Sequence, residues 1–289
     1  MGLEVNHNVD RDADRVQCIL SYEQIHGFRE TVYGYYRNHG RVLPWRKTRD
    51  PYKILISEIM LQQTQVARVI EKYEQFIRRF PVIESVARSP LRDILSVWQG
   101  LGYNRRALAL KRAAEVLVAH YDGRIPASIE SLMALPGVGR VTAHAVCAFA
   151  FNEPTIFVET NIRSVFIYYF FRNSGDVKDS KILPLVAQTV DPENPRIWYY
   201  ALMDYGVALK KKHGNPSRRS AHYQRQSPFK GSNRQTRGMI LQALVREHRV
   251  SEGVLVKRIS FPAEAVKQNL KQLEKEGLIV RKGNYISIA

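Results

Sequence analysis

Cysteine is nearly missing from this 289-residue chain, which holds only Cys18 and Cys147. Two distant thiols cannot make a disulfide framework, a four-cysteine zinc site or an iron–sulfur cluster held by four cysteines. The eight histidines show no metal-ligand spacing, so no catalytic metal is expected. No apolar run approaches the roughly 20 residues needed to span a bilayer. Met1–Asp14 is polar and acid-containing, unlike a secretory signal. Acid is also short: 27 Asp and Glu stand against 44 Lys and Arg, for a net charge of +17 and a pI near 9.9. An intracellular protein of the cytoplasm or nucleoid with a polyanionic partner is the first expectation. Hydrophobic residues at 45% and charged residues at 25% are ordinary globular usage and exclude a wholly disordered chain. The length allows one or two domains with a sizeable core.

The charge is unevenly spread. From Tyr205 to Arg246 there is no acidic residue, while ten cations occur, among them Lys211, Lys212, Arg218 and Arg219. Gly214, Asn215, Pro216, Ser227, Pro228 and Gly231 add turn chemistry, so 207–232 reads as a basic linker. Before it, Ile54, Ile56, Ile59, Met60, Val66, Val69 and Ile70 recur at helical spacing, as do Leu108, Leu110, Ala114 and Leu117. Breaks fall at Pro81, Pro90, Gly100–Gly102, Gly123–Pro126, Pro136–Gly139 and Pro154. The segment 23–206 is therefore expected to be an all-α domain, preceded by a flexible segment 1–22. Beyond the linker, helices over Thr236–Glu247 and Pro262–Glu276 precede Leu278–Val280 and Tyr285–Ile288, joined by a tight Gly283-Asn284 turn. This pattern predicts a small winged helix-turn-helix over 233–289, with Ala263–Leu273 presented to a groove. The fold class is thus mainly α with a C-terminal wing.

Leu135-Pro136-Gly137-Val138-Gly139-Arg140 lies between two helical patterns. Glycines two apart permit a hairpin whose uncovered N–H groups, at a helix N-terminus, can hold a phosphate. The same chain carries Leu43-Pro44-Trp45-Arg46, Ser57-Glu58-Ile59-Met60-Leu61-Gln62-Gln63-Thr64, Gly100-Leu101-Gly102-Tyr103 and Phe157-Val158-Glu159-Thr160-Asn161-Ile162-Arg163. In order and spacing this series, from about Leu43 to Gly206, resembles the helix-hairpin-helix DNA glycosylases related to endonuclease III, and within them the MutY-type adenine glycosylases.

The resemblance implies a core of two helical lobes that flips a base out of double-stranded DNA and hydrolyses its N-glycosidic bond. Glu58 would then protonate the leaving base and assist the water, with a pKa raised by burial. Glu159 would stabilise the oxocarbenium-like sugar, and Asn161 would orient that site. Gln63 would enter the gap in the stack and Tyr103 would stack beside the opposing base. Thr64, Gly137, Val138, Gly139, Arg140, Lys211, Lys212, Arg218 and Arg219 would contact DNA, while Arg46, Val141 and His144 would line the pocket. The hairpin could hold a monovalent cation through backbone carbonyls. Paired carboxylates also make sense without the family, because glycosidic cleavage needs a proton donor and a negative charge beside the developing cation.

The sequence departs from the family pattern in four places. Val141 stands where endonuclease III-type enzymes carry a Schiff-base lysine, so base removal without strand cleavage is expected. The sugar-facing carboxylate is Glu159 instead of aspartate, which displaces the charge by roughly one C–C bond, about 1.5 Å. Asp204-Tyr205-Gly206 is followed by cations where the family holds a [4Fe–4S] cluster, so no cluster is expected. The winged helix takes the place of a Nudix-like domain that recognises 8-oxoguanine. Cys147, on a small-residue helical face, is expected to be a buried structural thiol, and His144 a satisfied core histidine. The leading expectation is a monomeric, monofunctional glycosylase removing adenine opposite guanine or 8-oxoguanine. A thymine, uracil or modified-pyrimidine glycosylase of the same fold and a noncatalytic DNA-binding protein remain open alternatives.

Overall fold

The structure, a computed structural model, describes residues 19–289; most of the expected flexible segment 1–22, and Cys18, lie outside the described residues. In chain order the helices are α1 (Tyr22–His39), α2 (Pro51–Leu61), α3 (Val66–Arg79), α4 (Ile83–Arg88), α5 (Leu91–Trp98), α6 (Arg105–Tyr121) and α7 (Ile129–Met133). They continue with α8 (Arg140–Phe151), α9 (Thr160–Phe170), α10 (Asp179–Thr189), α11 (Pro195–His213) and α12 (Asn233–Glu247). Strand β1 (Val250–Ser251), α13 (Glu252–Arg258), α14 (Ala263–Lys275), β2 (Ile279–Lys282) and β3 (Tyr285–Ile288) complete the chain. No described helix is long and apolar enough to cross a membrane.

Local chemistry sets the helix ends. The Ser21 hydroxyl and the Gln24 side chain close a capping box on α1. Asp50 caps α2 with Pro51 at its first position. Asp122 and Asn152 stop α6 and α8 in left-handed backbone, a conformation in which short polar side chains are tolerated. Inward faces follow the helical period: Val69, Tyr73 and Phe76 are buried on α3, and Val266, Leu270 and Leu273 on α14.

The chain forms two compact units, one from the chain up to Gly40 with Ile156–Tyr223, the other from Arg41–Thr155 with Gln224–Ala289. In the first, Phe28 of α1 meets the rings of Phe166, Tyr169, Phe170 and Trp198 edge-on, with centroids 5.2–5.8 Å apart. Arg29 Nε donates to Thr189 O at 3.0 Å and Tyr33 Oη to Asp191 at 2.6 Å. The expected linker 207–232 starts differently from its sequence reading. Val207–Leu209 extend α11, Leu209 is buried, and Lys210–His213 complement the C-terminal end of the helix dipole. The next residues form a short turn, Pro216–Arg219, and Ser220 bridges to Val177.

In the second unit, one hydrophobic core contains Phe76, Trp98, Leu110 and Leu117 together with Leu244, Leu270, Leu273 and Ile286. The buried residues of the C-terminal 233–289 segment are continuous with this core, joined to it where α12 packs on α5. Ile240, Leu241, Leu244 and Val245 make α12 apolar on more than one side, so it buries surface both toward α14 and toward α5. Arg92 of the loop-proximal α5 donates to Val245 O. The sheet order is β1-β3-β2, with Val250 opposite Ile286 and Ile279 opposite Ile288. The hairpin matches the sequence expectation; β1 and α13, too short to carry a period, were not anticipated.

Candidate active site

In the second unit, the hairpin joins α7 to α8. Gly137 has φ +80°, and a Cβ there would lie 2.7 Å from the Ala109 Cβ, so glycine is required by conformation and by space. Val138 is buried and anchors the turn, while Gly137, Gly139 and Arg140 are exposed. Gly139 caps α8 without any side-chain hydrogen bond, which leaves that helix N-terminus open to an anion. Within the hairpin, Leu135 O accepts Val138 N at 3.1 Å and Gly137 O accepts Gln62 Nε2 at 3.2 Å.

The two adjacent glutamines divide their tasks. Gln62 also donates to Thr142 Oγ1 at 3.0 Å, fastening the end of α2 to the hairpin. Gln63 is exposed with φ +56°, projecting from the fastened loop. Tyr103, at φ +47°, is likewise a non-glycine residue in left-handed backbone. Such positions cost on the order of 1–3 kcal/mol each and persist where surrounding contacts enforce them. The enforcing residue is Arg106, 9% exposed. Its Nη1 donates to the carbonyls of Ile59, Met60 and Gln62. Its Nη2 reaches Thr64 Oγ1, Leu101 O and Gly102 O. Burial pushes its pKa down to about 10, so it stays cationic at neutral pH. Thr64, expected on DNA, is thus occupied inside the protein as an acceptor for Arg106.

Glu58 sits half-buried on α2 between fully buried Ser57 and Ile59. Val141 is exposed on the first turn of α8. His144, one turn on, is half-buried, and its Nδ1 is enclosed without a hydrogen bond, unlike the satisfied histidine expected. Burial foremost, with Arg140 nearby, lowers its pKa and keeps the imidazole neutral. Arg46 donates to Arg41 O at 3.2 Å. Cys147 is buried, bonded to Ala127 O at 3.1 Å, and burial raises its pKa to about 11, as suits an inert structural thiol.

In the first unit, Glu159 caps α9. Its Oε1 accepts from Asn161 N at 2.7 Å and Ile162 N at 2.8 Å, and its Oε2 from Asn161 Nδ2 at 3.1 Å. Lys210 Nζ donates to Asn161 Oδ1 at 2.9 Å. Burial lowers the Lys210 pKa while the Glu159 charge opposes the shift. Gly206 permits this arrangement, because a Cβ there would fall 2.4 Å from Asn161 O. Gly206 and Lys210 are four apart, so one face of α11 sets both the close approach and the ammonium. Lys210 was missed in the sequence because it opens an ordinary-looking Lys-Lys-Lys run; the helical phase from Gly206 marks it.

Lys211, Lys212 and Arg218 are exposed, as DNA contacts require. Arg219 is turned inward: it donates to Phe171 O at 2.7 Å, Ile167 O at 3.3 Å and Arg172 O, capping the C-terminal end of α9. Ser217 Oγ meets Ser164 Oγ at 2.6 Å and Thr160 O at 3.0 Å. The segment after Gly206 is thus pinned by hydrogen bonds and offers cations, with no thiolate, where the family pattern holds a cluster and none was expected in this chain. Such a donor set does not fit an iron–sulfur cluster. Among the described residues no three His, Cys, Asp or Glu side chains gather as metal ligands.

Residues 56–183 match the family described as HhH-GPD superfamily base excision DNA repair protein. An adenine DNA glycosylase of Buchnera aphidicola subsp. Baizongia pistaciae is 39% identical over 191 residues, 65% of this chain and 54% of the relative. The Homo sapiens adenine DNA glycosylase is 32% identical over 198 residues, 64% of this chain and 36% of the relative. The chain thus spans about half or less of the length of these curated relatives. A solved thermostable thymine-DNA glycosylase aligns with TM-score 0.58 and 28% identity, over 69% of this chain and 96% of that one.

Proposed function

Since residues 56–183 belong to the HhH-GPD superfamily of base excision DNA repair proteins and the chain is MutY-like across them, we propose that it is a monofunctional DNA glycosylase. Its substrate is double-stranded DNA with a mispaired base, most favourably adenine opposite guanine or 8-oxoguanine. The observation that carries this reading is the fastening of the Gln63 loop to the phosphate-accepting hairpin through Gln62. One rigid face then presents both a backbone anchor and a side chain free to enter the stack.

In the proposed reaction, the base leaves C1′ with a proton from Glu58, and water adds at C1′ with Glu58 taking its proton. Glu159 supplies the negative charge that favours the oxocarbenium-like sugar. Asn161 and Lys210 keep that carboxylate in place. Val141 has no amine, so the sugar is not attacked by this position and the backbone stays intact until alkali treatment. The segment 213–220 offers no thiolate to a cluster, and side-chain and backbone hydrogen bonds hold its shape. The winged helix reading of 233–289 is supported by Lys267, Lys271 and Lys275, exposed at intervals of four on α14, and by Lys282 on the hairpin; its neighbour Arg281 is paired with Glu252 and Glu274. The lysines would contact phosphates with strong salt dependence and little sequence preference.

The relative names favour adenine. One observation favours a thymine-type substrate: the fold aligns with that of a thymine-DNA glycosylase at TM-score 0.58 and 28% identity. A panel of duplexes with A, T, U, C or oxidised bases in defined mispairs, incubated with the protein and then alkali, separates the readings. Cleavage after alkali only, at adenine, is the expected result. Cleavage at thymine or uracil transfers the protein to the second reading, and no cleavage in any duplex makes it a binding protein.

A further inference from the structure

The first unit carries a concavity of about 620 Å³ lined by Tyr168, Arg172, His213, Pro216, Arg218 and Arg219, with no carboxylate on its wall. Three stretches build it: the end of α9, the end of α11 and the turn Pro216–Arg219. Arg219 is turned onto Ile167 O, Phe171 O and Arg172 O. It thereby offsets the negative end of α9 and fixes the backbone that carries Arg172. The Arg172 guanidinium carbon stands 5.5 Å from the Tyr168 ring centroid, and the His213 ring lies 5.0 Å from the same ring. Ser217 Oγ, bonded to Ser164 and Thr160, and Asn215 Oδ1, which accepts Ser217 N at 3.1 Å, hold the turn that bears Arg218. Arg172 and Arg218 are exposed, and among the described residues neither guanidinium has a hydrogen-bond or carboxylate partner.

Two free guanidiniums and an imidazole, gathered without any acid, select an anion. The donor set also sets how many oxygens and charges that anion has. A phosphodiester of intact DNA offers two free oxygens and one negative charge, which a single guanidinium fork satisfies. A phosphate monoester offers three free oxygens and a charge of about −1.5 to −2, enough for two forks and a ring N–H. We propose that this concavity binds a phosphate monoester: the terminal phosphate of a cut DNA strand or of a free nucleotide. Its volume is within the range of small-ligand sites, about 300–1,000 Å³, which leaves room beside the phosphate for a sugar. The turn and the Arg172 backbone are both fixed by internal hydrogen bonds, so the two guanidiniums are presented from a rigid frame. Arg172 lies outside the acid-free stretch, and only the fold brings it to the same concavity as Arg218. The inference goes beyond base removal and does not depend on it, because an uncut duplex contains no phosphate monoester. Cleavage of the backbone is the class of reaction that supplies one at a strand end.

The test uses the full chain and needs no catalysis. Calorimetric titration at pH 7.5 and fixed ionic strength would compare methyl phosphate, a monoester, with dimethyl phosphate, a diester. Wild type should bind methyl phosphate at least about tenfold tighter, the worth of one additional charge-assisted contact. Arg172→Gln and Arg218→Gln should each weaken methyl phosphate at least about fivefold, and Arg172→Lys, which keeps the charge without the fork, should fall between. Arg78→Gln removes the same charge from an exposed position on α3 and should leave the affinity unchanged. Anisotropy on nicked duplexes ending in a phosphate or in hydroxyls, with dAMP titrated in parallel, identifies the source. Binding at least about fivefold tighter to the phosphorylated nick assigns the end of a cut strand. No preference at the nick, with dAMP binding as tightly as methyl phosphate, assigns a free nucleotide. Equal binding of methyl and dimethyl phosphate by wild type overturns the proposal. So does an Arg172→Gln protein, folded by thermal melting, that binds methyl phosphate like wild type, or an equal loss in Arg78→Gln. Base release from the mispair panel is scored separately, so an inactive protein that still prefers methyl phosphate would sink the glycosylase reading and spare this site.

Discussion

Arg106 should be the most sensitive residue of the second unit. It is 9% exposed and its two terminal nitrogens serve six acceptors, three of them carbonyls at the end of α2 and three in or beside the turns bearing Gln63 and Tyr103. Hydrogen bonds to a charged group are worth roughly 1.5–3 kcal/mol each. Six taken additively, about 9–18 kcal/mol, would match or exceed the whole stability of a typical domain, about 5–15 kcal/mol, so they share the cost of one buried charge. Removing one member of such a buried network typically costs about 3–5 kcal/mol. For a unit of this size, each kcal/mol lowers Tm by about 2–4 °C, so Arg106→Met should melt roughly 6–20 °C lower. Arg106→Lys keeps the charge but has three donors on one nitrogen, which cannot span both loops. It should recover part of the stability and little of the affinity for abasic duplex. Urea unfolding followed by circular dichroism, with anisotropy on the same samples, reads both quantities. An Arg106→Met protein within about 1 kcal/mol of wild type would refute the view that this guanidinium sustains the two strained loops.

Gly206→Ala places a methyl 2.4 Å from Asn161 O, so α9 and α11 must separate; a loss of about 1–3 kcal/mol is expected by thermal unfolding, and an unchanged Tm would rule out the close approach. Lys210→Met removes the ammonium that holds Asn161. It should lower kcat with KM nearly unchanged and be partly rescued by Lys210→Arg, whereas a pure rise in KM would show that Lys210 only helps bind DNA. His144 has a folded pKa below its unfolded value of about 6.5. The unfolded chain therefore takes up the proton first, and stability should fall as pH drops below about 6.5, levelling once the folded imidazole is also charged. His144→Leu should flatten that dependence in urea midpoints between pH 7.5 and 5.5; identical slopes would dismiss the histidine as its source.

What could be read from the sequence followed from how local each signal is. The helical periods on α3 and α14, the hairpin turn at Gly283 and the Gly-Val-Gly hairpin at 137–139 are encoded within a few residues of where they act. The pairing of β1 with β3 is not, because two residues carry no pattern and their register is set by the β3 partner. Arginines were the least legible. Arg106, Arg219 and Arg234 look alike as solvent-facing cations in the sequence. One is buried against two loops, one caps α9, and one contacts a tyrosine 131 positions away. Only the carbonyls that the fold leaves unsatisfied distinguish a structural arginine from a DNA-facing one. The acid-free stretch likewise divides into exposed Lys211, Lys212 and Arg218, available to phosphate, and inward Lys210 and Arg219, which serve the protein.

Glu159 sharpens the question of substrate. Its side chain is one methylene longer than the aspartate of the family pattern, yet the carboxylate folds back onto Asn161 N and Ile162 N in the manner of a shorter N-cap. The helix start therefore does not need glutamate, and Glu159→Asp should preserve stability to within about 0.5 kcal/mol. Catalysis is a stricter requirement, because an anion placed about 1.5 Å from its working position loses much of its hold on the developing sugar cation. If this protein is built around glutamate, Glu159→Asp should slow single-turnover base release by about tenfold or more, and Glu159→Gln should abolish it while abasic-duplex binding persists. If Glu159→Asp releases base as fast as wild type, the carboxylate position does not set the rate. Glutamate would then act here through the Asn161–Lys210 contact, and its difference from aspartate would carry no information about which base is removed.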